Sequence, residues 1–185
     1  MAFNSFLAIL PVLFAYIFIK SRNKAVRVVS GILWLLFFPN SIYLLTDMMH
    51  LIHQWERVNG IASIVVVLQF VLLQVVGFVT FILGFRPFEH IVEWLKFSKE
   101  KKTWAIIVFN FIIAFGIVLG RVERVNSWDV FADTGKVVQA VITVFTSIEL
   151  IGLTVLFGLF CNFFYFLFRD PIYHSTIKIK NSLAK

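Results

Sequence analysis

Asp47 and His50 stand one helical turn apart, so on a helix a carboxylate and an imidazole share one face. Such a pair can do three things. The carboxylate can orient the imidazole as a general base. The two can hold a metal together. Or they can form a structural hydrogen bond at a helix end, with His53 merely interfacial. A metal would need a third ligand, for which Glu123, Asp129 and Glu149 are available. No His-Glu-x-x-His spacing occurs, so metal and cofactor stay undetermined. At 100° per residue, Asn40, Tyr43, Asp47, His50 and Gln54 fall within about 80° of one another. This polar stripe follows an apolar run. Asn40 and Tyr43 either satisfy carbonyls freed by Pro39 and anchor at the interface, or line a polar pocket.

A second grouping is compact in sequence: Arg121, Glu123, Arg124, Asn126, Trp128 and Asp129. Arginine suits bidentate binding of phosphate or carboxylate. The bland alternative is snorkelling arginines, an indole anchor and a helix-capping Asn126 or Ser127. Glu149 is a carboxylate inside a long apolar stretch, where a charge is functional by default unless Arg121 or Arg124 pairs with it. Asp47, His50 and Glu149 are thus the candidate catalytic residues. Asn40, Tyr43, Arg121, Arg124, Asn126, Trp128 and Asp129 are the candidate binding residues.

The elements that must position these groups are membrane helices. The 185 residues are 60% hydrophobic and 17% aromatic, with 23 Phe and a mean hydropathy of +0.91. Apolar runs of spanning length recur, which a soluble domain lacks. The fold class is all-α, a polytopic membrane helix bundle forming a single integral domain over 1–185. Spans are expected at about 3–19, 28–46 with a break at Pro39, 61–85, 103–120, and the end of 137–168. That last stretch is 32 residues long. As one helix it would measure about 48 Å against a hydrocarbon core of about 30 Å. Counting back from Arg169 places the final span's start near Glu149, with 136–147 on the surface or packed above the bundle. Residues 87–99 read as an amphipathic segment, with 88, 91, 92 and 95 apolar and Glu89, His90, Glu93 and Lys96 opposite; it is either a surface helix on the bilayer or an extension of the third span.

Charge sets the orientation. Thirteen Lys and Arg fall in the loop after the first span, the segment after the third and the tail; four fall in the other two loops. Five spans with the N-terminus outside and the C-terminus in the cytoplasm put all thirteen inside. A hairpin in 137–168 would make six spans but place the basic tail outside. Met1–Phe6 carries no Lys or Arg, the reverse of a secretory leader, so the first helix is expected to be retained. This topology gathers the stripe, the Arg121–Asp129 loop and Glu149 at the outer face. The net charge of +7 points to anionic lipid headgroups at the cytoplasmic face and not to nucleic acid. The lone Cys161 excludes an internal disulfide.

Phe38-Pro39-Asn40 followed by Tyr43, Thr46-Asp47 and His50 resembles one signature of an uncharacterised family of bacterial multi-pass membrane proteins, the domain of unknown function DUF1361. Gly120-Arg121, Arg124 and Asn126-Ser127-Trp128-Asp129 resemble its second signature. Asn4, Phe6-Leu7-Ala8 and Pro11 are similar to its opening. Ser41 departs from the small apolar residue expected there. The resemblance implies a multi-pass membrane location and no activity.

Three functions fit these readings. The first is a cell-membrane binding or assembly protein with a membrane-protein partner. The second is an outer-face hydrolase or transferase acting on a lipid-linked or phosphate-bearing substrate. There His50 would be the base, oriented by Asp47, with Arg121 and Arg124 as the anion clamp and Glu149 as a second acid or metal ligand. The third is a small transporter subunit with Gln69, Gln74 and Asn110 lining a path.

Overall fold

The computed structural model describes residues 2–46, 51 and 54–183. Among them there is no strand, and the chain is an all-α membrane helix bundle. Nine helices follow one another among the described residues: α1 Ala2–Lys20, α2 Lys24–Phe37, α3 Pro39–Thr46, α4 Ile61–Gly84, α5 Arg86–Trp94, α6 Lys99–Arg121, α7 Asp129–Ala132, α8 Thr134–Thr146 and α9 Ile148–Leu183. Among the same residues four stretches are long and apolar enough to cross a bilayer: Lys24–Tyr43, Ile61–Trp94, Lys99–Arg121 and Ile148–Tyr173. The apolar helix Asn4–Lys20 is shorter; at about 26 Å it sits at the low limit of spanning lengths. The chain divides into two compact units, Met1–His90 and Ile91–Lys185.

In the first unit, α3 packs on α1 and α4, and α1 packs on α2. Pro39 lacks an N–H for the carbonyl of Leu35, so the α2 ladder closes at Phe38 N–H to Trp34 O, 2.9 Å, and α3 starts at once. A second joint lies between α4 and α5, where Phe85 N–H bonds Ile82 O at 3.2 Å ahead of Pro87. The two joints meet. Phe38 stacks on Trp34 and Phe81 and takes Phe85 edge-on, with ring centroids 5.4–5.7 Å apart. Gly84 admits that ring: a Cβ there would lie 2.6 Å from Phe38 Cε2. Trp34 Nε1–H donates to Gly84 O at 2.7 Å. The departure at Ser41 has a use, since its hydroxyl donates to the Ala8 carbonyl at 3.3 Å and ties α3 to α1.

Four expectations need correction here. Helix α2 begins at Lys24, earlier than 28, because Asn23 Oδ1 accepts from the N–H groups of Ala25 and Val26 at 2.9 and 3.4 Å. In the amphipathic segment Glu89 was placed on the polar face, yet it is 3% exposed, while Trp94 and Leu95 are exposed. The reason is continuity with α4. Phe81, Phe85 and Glu89 stand four residues apart, so Glu89 extends a buried row. The segment also ends early: Lys96 takes φ 53° and a Schellman closure (Lys96 N–H to Glu93 O, Phe97 N–H to Val92 O) stops α5. Ser98 then caps α6, which starts at Lys99 instead of 103.

In the second unit α6 packs along α9. Gly158 sets their approach; a Cβ there would lie 2.1 Å from Phe111 Cδ1. Asn110 Nδ2 donates to Asn162 Oδ1 at 2.9 Å, and Asn162 Nδ2 donates to Gly158 O at 2.8 Å. The first of these crosses between the helices, and such an interhelical bond is worth about 0.6 kcal/mol in a bilayer. The long apolar stretch breaks at Ser147, with φ −98° and ψ 116°, which leaves α8 as a separate 13-residue helix and puts Glu149 in the first turn of α9. Helix α9 does not stop at the basic tail but runs through Pro171 to Leu183.

Candidate functional site

The polar segment between α6 and α8 is built from its own side chains. Helix α6 ends at Arg121, a cation in the last turn where the helix dipole favours it. The chain then turns through Arg124, a non-glycine residue at φ 54°. Asp129 begins α7 and reaches back: its Oδ2 accepts from the Asn126 backbone N–H at 2.8 Å and from Asn126 Nδ2 at 3.4 Å. Asp129 N–H in turn donates to the Asn126 carbonyl at 3.0 Å, so side chain and backbone close the same turn.

Lys136, in the first turn of α8, completes the arrangement. Its ammonium donates to Asp129 Oδ2 at 2.7 Å and to the Arg124 carbonyl at 2.9 Å. The Asp129 side chain is 10% exposed and that of Lys136 39%. Asp133 caps the same helix by accepting from Lys136 N–H at 3.0 Å. The Lys136 ammonium, and then the Asn126 N–H, hold the Asp129 carboxyl below its usual value of 3.8. Asp129 is therefore an ionised fastener at neutral pH, not an acid poised to give a proton.

Around this fastened core, Arg124 and Asn126 are exposed, Trp128 is 41% exposed, and Arg121 and Glu123 are half-buried. Arg121 and Trp128 both have partners within the protein. The segment thus brings together five of the candidate binding residues: Arg121, Arg124, Asn126, Trp128 and Asp129. Glu149 is exposed in the first turn of α9. In the other unit Asn40 is 6% exposed and Tyr43 half-buried, and neither is without a partner. Asp47, His50 and His53 lie outside the described residues. Among the described residues no three His, Cys, Asp or Glu are grouped to hold a metal. An open depression of about 630 Å³ lies on α8, lined by Thr134, Gly135, Val138, Gln139, Ile142 and Thr143. It includes none of the candidate residues.

Sequence reasoning missed Lys136 and Asp133, because it treated Lys136 only as a charge in a loop. One observation was available: Lys136 is the sole cation between Arg124 and Arg169. A single ammonium downstream of a turn with one deeply placed carboxylate is its natural partner.

No curated protein and no solved structure matches this chain. A family model described as protein of unknown function (DUF1361) matches residues 3–164, which span both candidate groupings. The chain belongs to that family.

Proposed function

We propose that this is a binding or assembly protein of the cell membrane, whose Arg121–Lys136 segment receives an anionic group at the outer face. Five spans support that placement, counting α1, since they leave the thirteen basic residues of the first loop, the α5–α6 region and the tail on the cytoplasmic side. The observation that carries the reading is the state of Asp129. Its charge is met by Lys136 and its lone pairs by Asn126, so the segment's deepest acid has a structural task. Arg124 is held on a strained backbone with its side chain exposed, and the Lys136 bond to its carbonyl keeps that backbone in place. A guanidinium so presented, in a segment that also exposes an amphipathic indole, suits a phosphate or carboxylate at headgroup depth.

The test is a titration of purified protein in a zwitterionic detergent with short-chain phosphatidylglycerol and, separately, inorganic phosphate. Binding by the wild type and an approximately tenfold loss in Arg124→Ala are expected, a factor worth about 1.4 kcal/mol. The control Arg57→Ala, in the exposed turn before α4, leaves that affinity unchanged. Equal affinity in wild type and Arg124→Ala contradicts the proposal. A response to phosphate as well as lipid assigns the site to the anion alone; a response to lipid only assigns it to a headgroup.

A further inference from the structure

Helix α8 carries two apolar faces where a packed surface helix needs one. From Lys136, at 100° per residue, Val137, Ala140, Val141 and Val144 occupy roughly 40–140°. Ala140 and Val144 are buried, at 4% and 2% exposure, and α8 packs on α6 and α9 within its unit. Phe145, Val138 and Ile142 follow at roughly 180–240°, and they are 67%, 53% and 56% exposed. Only then come Thr146, Gln139 and Thr143, with Lys136 closing the circle, at roughly 280–360°.

We infer that α8 lies in the plane of the membrane interface, with Val138, Ile142 and Phe145 inserted among the acyl chains of one leaflet. Four observations point to lipid as the occupant of that face. At 13 residues the helix is about 20 Å long, too short to cross a core of about 30 Å. From Val137 to Ile148 the chain has no charged residue, so the face offers nothing for a charged protein rim. Exposed apolar residues follow along the chain, at Ile148, 80% exposed, and at Val155, Leu156 and Leu159 on α9, a helix of spanning length. Lastly, the three sectors occur in the order bundle, lipid, water, which an interfacial helix requires. The break at Ser147 makes this possible, since it frees α8 from the axis of α9.

The arrangement gives Lys136 a second task. The residue that fastens Asp129 also begins the interfacial helix, so the loop and the leaflet-bound helix are joined at their ends. This inference stands on the membrane fold and does not depend on an anion binding the loop.

Site-directed spin labelling in reconstituted bilayers tests it. Single cysteines are placed at 138, 139, 142, 143 and 145 in a Cys161→Ala background. Labels at 138, 142 and 145 should favour collision with oxygen over a water-soluble nickel complex, by several-fold relative to 139 and 143. A second measurement in native membranes uses a charged maleimide that does not enter lipid: Gln139→Cys should react and Ile142→Cys should not. Nickel access at all five positions would mean that α8 stands in water and would overturn the inference. Protection of 138, 142 and 145 from both reagents would mean that a protein surface covers that face, and would overturn it equally.

Discussion

The joint around Phe38 and the loop around Asp129 solve one problem in opposite ways. Each holds a break in the helix ladder inside a membrane protein. The Phe38 joint does so with rings: Trp34, Phe38, Phe81 and Phe85 fill the space that Pro39 and Gly84 open, and one indole N–H serves the Gly84 carbonyl. The Asp129 loop is held by a carboxylate, an ammonium and an amide. Packed rings lose contacts when an atom is added or removed, and they are indifferent to pH. A charge-fastened loop tolerates changes of shape but answers to protonation. The difference fits position: lipid offers no water to stabilise ions, whereas a segment between helix ends can keep them.

This contrast can be broken from either side. The largest effect is expected at the aromatic joint. Phe38→Ala removes a fully buried ring and should lower stability by about 3–5 kcal/mol. Gly84→Ala adds a methyl where Phe38 already lies and should lower it by about 1–3 kcal/mol. Reversible unfolding in mixed micelles measures both, and neither loss should change between pH 7 and 5. Losses that track pH there would mean that the joint is not held by packing.

At Asp129 the effect is smaller and must depend on pH. Its carboxyl is held below 3.8 in the folded protein, so the fastening is fully present above that value. It is lost as pH falls through the lower folded value. Asp129→Asn should therefore melt below the wild type at pH 7 and at pH 5 by similar amounts, and the gap should close below pH 3.8. A gap that persists in acid would assign the loss to shape and not to charge.

Much of the architecture is legible in the chain. The proline break, the span 61–84 and the division of the last apolar stretch near Glu149 follow from apolar length and basic flanks, which act locally. Helix starts at Lys24 and Lys99 are harder to read, because Asn23 and Ser98 lie among basic residues that resemble loops. Glu89 is misread when the amphipathic segment is treated alone; only counting onward from Phe81 shows the buried row. The candidate site is half legible. Arg121, Arg124, Asn126, Trp128 and Asp129 stand out by type, but the role of Asp129 depends on Lys136, which periodicity does not link to it because the chain turns between them.

The central claim is that Asp129 and Lys136 act as one fastener, and a double-mutant cycle on thermal stability tests it most directly. Asp129→Asn, Lys136→Met and the double variant are compared in the same micelles at pH 7, with Arg22→Ala, in the exposed loop after α1, as the reference. Strong coupling between Asp129 and Lys136 is expected, the double variant being no less stable than the less stable single one, and additive behaviour of either with Arg22→Ala. Additive losses at Asp129 and Lys136 would contradict it.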